Sequence, residues 1–346
     1  MFENLLRDLG DYGAKHKMAL KAPDGQKFLV FSVEFYQDGY KRWVGGFADR
    51  LKGMLSTALI AVLTDRIFLV DWRTPMPISD HFDAPNLNWN TIDIVENGAP
   101  VYIVDAIDPD SYAKYSRYIH DNQDARKLFD GAPIARVHTN MLAIDDLLKM
   151  HELLRQTAVG QTLGRISSEC PADIARDGIV SVMFNYLMSY RPQRRAVEMW
   201  RDFQRRRANG PMIGVQFRSG GHGAWWGDGD MDDIGNAEAV RDGVVKIAES
   251  RFSGNVQVLI ASDSAKFRSR LTELLTGIYQ VCVYDGDIYH LERSSGDPVA
   301  GVDFAMFEFM CLSHCDYIIH GVGEFGLTAA RVGLKTHSHY SDIGVM

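Results

Sequence analysis

The segment Met212-Ile-Gly-Val-Gln-Phe-Arg218 has the pattern of a buried strand that ends on a permanent charge, and the loop after it, Ser219 to Gly223, is rich in glycine. In an open α/β sheet, ligands bind outside the carboxyl ends of the strands. An arginine at that point suits a phosphate, because its planar fork offers paired donors and a fixed charge. The same spacing fits a strand-end arginine paired with a carboxylate, and spacing alone leaves both open.

A second signal is Gly321-Val-Gly-Glu-Phe-Gly326, which fits G-x-G-x-x-G between a strand and a helix. Only 20 residues follow Gly326, too few to complete a dinucleotide-binding unit, so a nicotinamide site is not expected. The local physics remains: unsatisfied N–H groups and the positive dipole end of a helix hold phosphate well. Phe325, Gly326 and Thr328 are therefore candidate diphosphate contacts.

Glu308 is a third signal, a carboxylate set among Phe304, Met306, Phe307, Phe309 and Met310. Burying it is costly without hydrogen-bond donors. The N1–H and amino group of a guanine base would supply two parallel donors, and Arg331, another side chain or the backbone would also serve. The acidic groups Asp228-Gly-Asp230, Asp232-Asp233 and Asp285-Gly-Asp287 have the form of a metal-diphosphate pair, but such clusters are more often solvated loops, and no metal is expected. No HExxH, no G-x-S-x-G elbow and no Cys/His cluster with ligand spacing occurs, so hydrolase and zinc-enzyme readings have no support.

These residues need strands and helices to position them. Lys27–Phe35 alternates like a strand, Gly45-Gly46 is a tight loop, 49–63 is an apolar helix and 66–72 the next strand. Further strands are expected at 101–104 and 135–138, and helices at 144–156, 172–190 and 195–208. The second half repeats the rhythm: strands at 212–218, 256–262, 279–284, 316–320 and 335–339, and helices at 236–250, 264–275, 302–313 and 325–332. Alternation of this kind implies parallel sheets covered on both faces. The expected fold is α/β with two Rossmann-like domains facing a cleft, residues 1–195 and 196–346.

Bulk properties narrow the function. The formal net charge of −8 argues against a nucleic-acid partner, and Arg201, Arg205, Arg206 and Arg207 read as a solvated helix face. No run of about 18 apolar residues is present, so no membrane span is expected. The four cysteines form no CxxC pair and read as free thiols. With no basic-then-apolar stretch at the start, a cytoplasmic location is expected.

Several segments together resemble the GDP-fucose-dependent fucosyltransferase superfamily, which includes rhizobial nodulation, core α1,6- and plant xyloglucan fucosyltransferases. They are Gly45-Gly-Phe-Ala-Asp-Arg-Leu-Lys-Gly53 running on to Trp72, the proline- and aromatic-rich 71–89, Phe184-Asn-Tyr-Leu187, Ile213–Arg218, Leu259–Ser264, Phe307–Asp316 and Phe325–Lys335. The matches fall in the family's order. The resemblance implies a GT-B fold with an N-terminal acceptor-side domain and a C-terminal donor domain. It implies inverting transfer of L-fucose from GDP-fucose to a glycan hydroxyl, with no cofactor and no required metal. By the resemblance, Arg218 holds the donor β-phosphate, Glu308 reads guanine, Asp263 closes the second donor strand, and Gly45 and Gly46 approach the diphosphate. Arg50 and Lys52 are further candidates for the phosphate. Gln216 stands in the donor strand where the family commonly has histidine, Asp49 where it has asparagine, and Gly321-Val-Gly-Glu324 where it often has serines. A non-catalytic GDP-sugar binder, or a transferase using another GDP-sugar, is therefore the alternative. Asp228 and Asp230 are candidates for the general base by position alone.

Overall fold

The expected alternation folds into two parallel sheets, one in each of two compact units, Met1–Arg191 and Pro192–Met346. The computed structural model describes residues 1–37, 40–95, 101–121, 124, 127–218, 233–286 and 298–343.

Unit 1 runs α1 (Phe2–Lys21), β1 (Phe28–Ser32), β2 (Glu34–Gln37), β3 (Tyr40–Trp43), α2 (Phe47–Leu63), β4 (Ile67–Asp71), β5 (Phe82–Asp83), β6 (Val101–Ala106), α3 (Pro109–Asp121) and β7 (Ile134–Thr139). It continues through α4 (Ile144–Leu147), α5 (His151–Leu154), α6 (Ala158–Glu169), α7 (Ala172–Leu187) and β8 (Ser189–Tyr190). The main sheet has the order β4-β1-β7-β6, all parallel. Helix α2 is buried almost all round, as its apolar sequence requires. It presses so close to β7 that a Cβ on Gly53 would stand 1.8 Å from the Thr139 carbonyl oxygen.

Four details depart from expectation. Helices α1, α3 and α6 lie where none was expected. The 27–35 strand stops at Ser32, and β2 pairs instead with β3 as an antiparallel hairpin. The 144–156 helix is two four-residue helices. The 172–190 helix stops at Leu187, after which β8 pairs with β5.

That last pairing explains two of the resembling segments. Trp89 is buried, and its indole N–H donates to the Leu187 carbonyl at 2.6 Å. The Asn86 amide donates to the Tyr186 carbonyl at 2.8 Å, and Phe82 packs edge-on against Phe184. The 71–89 and 184–187 segments are thus two halves of one structural lock.

Unit 2 runs α8 (Arg194–Arg207), β9 (Met212–Phe217), α9 (Asp233–Arg251), β10 (Gln257–Ser262), α10 (Ala265–Leu275), β11 (Gln280–Cys282), α11 (Pro298–His314), β12 (Tyr317–His320), α12 (Glu324–Gly333) and β13 (Thr336–His339). Its sheet has the order β11-β10-β9-β12-β13, all parallel. Strand β9 is buried at all six positions, the run expected of a central parallel strand. Gly214 in this strand is required by packing: a Cβ there would meet Cys315 Sγ at 2.9 Å and Leu312 Cδ2 at 3.0 Å.

Candidate functional site

The order of the unit 2 sheet fixes where a ligand belongs. From β9 the chain winds outward to β10 and β11, then returns through α11 to β12 on the other side of β9. The winding direction therefore reverses between β9 and β12, and ligands of open α/β sheets bind in the crevice at the carboxyl ends of such a strand pair. Arg218 directly follows β9, and Gly321 directly follows β12. The Gly321 N–H donates to the Gln216 carbonyl at 2.8 Å, which holds the two strand ends together.

The crevice is lined by features that favour an anion. The half-buried Arg218 reaches across Gly323, where an added Cβ would stand 3.7 Å from Arg218 Cδ and 3.9 Å from Nη1. Gly323 is the N-cap of α12 and has φ 98° and ψ 169°, a conformation open essentially to glycine alone. The arginine and the positive end of α12 are thus joined at one point. Phe325, Gly326 and Thr328 lie in the first turns of this helix. Gly326 is obliged to be glycine, because a Cβ would stand 2.8 Å from Gln216 Oε1 and 2.9 Å from His320 Cβ. Gln216 Oε1 and Thr328 Oγ1 are enclosed with no hydrogen-bond partner among the described residues. Buried polar atoms are nearly always partnered, so two at one strand–helix junction mark a polar locus.

A second group of charges belongs to the same unit. Glu308 is half-buried in α11, and desolvation by the surrounding fold pushes its carboxyl up to about 8. Arg268 pulls against this shift, and the negative charge of Asp263 adds to it. Asp263 follows the carboxyl end of β10, and Ser264 after it caps α10 by accepting from Phe267 N–H at 3.1 Å. The pairing of Glu308 with Arg331 left open by the sequence is not what bears on the carboxyl. Arg331 forms an ion pair with Glu324 at 3.7 Å, and the charges acting on Glu308 are Arg268 and Asp263.

Three histidines lie beside the α12 junction. His320 packs its ring at 5.3 Å from His337 and 5.5 Å from His339. Burial, the two neighbouring imidazoles and Arg331 push His320 down to about 4, so it is neutral at physiological pH. Sequence reading passed over this group, although a His-x-His at 337–339 after a strand histidine is a visible signal.

Gly45, Gly46 and Arg50 belong to unit 1. Gly45 has φ 38°, and the Gly46 N–H donates to the Asp49 carboxylate at 3.3 Å, which caps α2. Arg50, a candidate for the phosphate, is anchored in the glycine loop. It is fully buried, donating from Nε to the carbonyls of Val44 and Gly45 at 2.9 Å each and from Nη1 to the Thr74 carbonyl. Its guanidinium also lies 5.4 Å from the centre of the Trp72 ring. Arg50 shapes the glycine loop. Lys52 forms an ion pair with Asp49 at 3.0 Å.

Asp228 and Asp230 lie outside the described residues, as do Asp232, Asp287 and the loop following Arg218. Among the described residues no group of three or more His, Cys, Asp or Glu side chains is arranged to hold a metal ion, and no helix is long and apolar enough to cross a membrane. Asp316, in the segment that resembles the family near Glu308, is structural. It takes both Arg207 guanidinium nitrogens and accepts from Met212 N–H at 2.8 Å, tying α8 to the start of β9.

Comparison with solved structures agrees with this architecture. A point mutant of FUT1 from Arabidopsis thaliana, in complex with GDP, aligns over 97% of this chain and 78% of its own length, at 17% identity and a TM-score of 0.58. The chain shares the fold of these solved structures. Fucosyltransferase NodZ from Bradyrhizobium aligns over 88% of this chain and 91% of its own, at 14% identity and a TM-score of 0.52. NodZ α-1,6-fucosyltransferase soaked with GDP-fucose gives 89% and 93%, at 15% identity and 0.52. No family model and no curated protein sequence matches the chain.

Proposed function

We propose that the chain is an inverting glycosyltransferase that transfers L-fucose from GDP-fucose to a glycan hydroxyl. The observation that carries this reading is the junction of Arg218 with the N-terminus of α12 at the β9/β12 crevice. Structures of the same fold in complex with GDP and soaked with GDP-fucose support it.

In this reading the diphosphate lies against the Arg218 guanidinium and the N–H groups of Phe325 and Gly326, with the Thr328 hydroxyl and the Gln216 carboxamide beside them. The guanine edge pairs with Glu308, and Asp263 closes the donor side at the end of β10. Within unit 1, Arg50 holds the Gly45-Gly46 loop in shape through the Val44 and Gly45 carbonyls. As the bond from fucose C1 to the diphosphate oxygen breaks, charge builds on that oxygen, and fixed positive groups stabilise it most when they need no rearrangement. Asp228 or Asp230 takes the proton of the attacking acceptor hydroxyl. The reading requires positive charge from the chain alone, with no cofactor.

The alternative is a transferase for another GDP-sugar, or a GDP-sugar binder without turnover. The loop Gly321-Val-Gly-Glu324 motivates it, because it stands where the resembling family often has serines and so alters the cradle of the donor.

Incubation with GDP-fucose and a glycan panel, with product configuration read by NMR, tests the proposal. Fucosylated product of inverted configuration supports it. Turnover of GDP-mannose alone, or binding of GDP with neither transfer nor hydrolysis, moves the assignment to the alternative.

A further inference from the structure

Unit 1 carries a cavity of about 390 Å³ in its helical layer, between α3 and the chain that runs from α4 to Met150. A volume of this order holds a ring-sized ligand. Helix α3 buries Tyr115 and Ile119. The flank beside that stripe lines the cavity with Tyr112, Ser116, Arg117 and His120, at helical spacing. Asp146, Lys149 and Met150 stand opposite.

The opposite wall is fixed by neighbours remote in sequence. Ser56 of α2 donates to the Met141 carbonyl at 2.9 Å and accepts from the Ala143 N–H at 2.8 Å. Asp145 of α4 takes the Arg176 guanidinium of α7 at 3.2 Å. The start of α4 is thus held by two other helices, and the cavity needs no rearrangement to form.

The charges of the cavity point to the sign of a ligand. Its carboxylate, Asp146, is already satisfied. The Tyr112 hydroxyl donates to Asp146 Oδ2 at 2.7 Å, the Ser116 hydroxyl to the same oxygen at 3.4 Å, and Lys149 Nζ lies 3.8 Å from Oδ1. Burial, and then the bond to Asp146, push the Tyr112 hydroxyl well above its ordinary value, so it stays a donor to that carboxylate. At the far end, His120 Nδ1 lies 3.4 Å from Asp121 Oδ1. Arg117 differs from these groups. It is exposed, and its guanidinium makes no hydrogen bond or ion pair among the described residues. A permanent cation with five open donors, set beside the Tyr112 ring and the Met150 side chain, matches one anionic group carried on a ring.

We propose that this cavity is a binding site for a small organic anion, a carboxylate or phosphate monoester on a single ring. Arg117 takes the anionic group, Lys149 flanks it, and Tyr112 and Met150 pack the ring. The site uses only unit 1 residues and stands apart from the donor reading, which rests on Arg218 and Glu308.

The test is saturation-transfer NMR titration of the full chain carrying Arg218→Ala, so that the candidate phosphate-binding arginine of unit 2 does not take the probe. Glucose 6-phosphate, glucuronate and benzoate are the probes, and glucose is the neutral control. We expect at least one charged probe to bind and glucose to give no signal. Glucose 6-phosphate binding alone assigns a phosphate ligand, and glucuronate or benzoate binding alone a carboxylate. Adding Arg117→Gln should weaken the affinity about tenfold, the loss expected when one charge-assisted hydrogen bond goes. The melting temperature should not move, because Arg117 is exposed and has no partner to strand. No binding of any charged probe overturns the site. So does glucose binding as well as the charged probes, or an affinity unchanged by Arg117→Gln. GDP titration of the parent chain reports separately on the proposed function.

Discussion

Arg218 lies across the glycine that caps α12: a Cβ on Gly323 would stand 3.7 Å from Arg218 Cδ and 3.9 Å from its Nη1. Two residues more than a hundred positions apart thus build one positively charged point. The first prediction concerns this contact. Gly323→Ala places a side chain in a backbone conformation with φ 98° and crowds the arginine. We expect a stability loss of about 1–3 kcal/mol, from strain at a glycine-only conformation. GDP affinity should fall as well. Chemical denaturation and titration check both, and unchanged affinity would separate the glycine from the site.

Arg218→Ala should lower the melting temperature by no more than about 4 °C, the shift that about 1 kcal/mol makes in a chain of this size. Turnover should fall by about 10²–10³, the effect of removing one preorganised charge donor. Steady-state rates with and without saturating donor show whether the loss lies in kcat. Activity near that of the parent chain would remove Arg218 from the chemistry.

The Glu308 carboxyl is pushed up to about 8, so in the unliganded protein it is largely protonated at pH 7. Pairing with the guanine N1–H and amino group favours the ionised form. GDP binding should therefore release a proton, and affinity should rise as pH increases toward 8. Calorimetry in buffers of different ionisation enthalpy reads this directly. For stability the sign is opposite. A group raised above its unfolded value of 4.5 contributes fully below that value and loses the contribution as pH rises through 8. Glu308→Gln should flatten both dependences and weaken GDP binding.

His320 behaves the other way. Its folded value of about 4 lies below the ordinary 6.5, so the unfolded chain takes up the proton first. Stability should be full above pH 6.5 and decline as pH falls through the interval down to 4. Urea midpoints between pH 4 and 7 measure this. His320→Gln should remove much of that slope, and an identical slope in the variant would assign the acid lability elsewhere.

Asp316→Ala tests the claim that this residue is architectural. It would strand Arg207 and the Met212 N–H, and should cost about 2–3 kcal/mol as a charge-assisted hydrogen-bond pair is lost. GDP affinity measured well below the melting temperature should remain. Loss of affinity in a folded variant would make Asp316 part of the site.

The sequence was readable where one strand or helix carries its own signal. Strand β9 with Arg218, the apolar helix around Glu308 and the glycine turn into α12 all declare themselves locally. What stayed hidden depends on neighbours remote in sequence. At the carboxyl ends of the unit 1 strands, Asp105, His138, Ser32 and Asp71 form a row with one residue from each of four strands, and only the register assembles it. Arg50 sits beside two glycines, and its bonds to the carbonyls of Val44, Gly45 and Thr74 are ones that no local pattern announces. Helix α1 did carry a signal: Leu5, Leu9, Tyr12, His16 and Ala19 are buried at helical spacing, behind a highly charged opposite face. The carboxyl of Asp316 lies within a resembling segment close to Glu308, and only the fold separates a structural acid from a binding one.

The proposed guanine-nucleotide diphosphate site is built from Arg218, the α12 N-terminus and Glu308. Calorimetric titration of the parent chain, Arg218→Ala and Glu308→Ala with GDP, GDP-fucose, GDP-mannose, UDP and NAD tests it most directly. We expect binding of GDP and GDP-fucose to the parent chain alone, with UDP and NAD at least tenfold weaker, the margin set by about 1.4 kcal/mol of guanine pairing. No binding of GDP, or stronger binding of UDP or NAD, would contradict it.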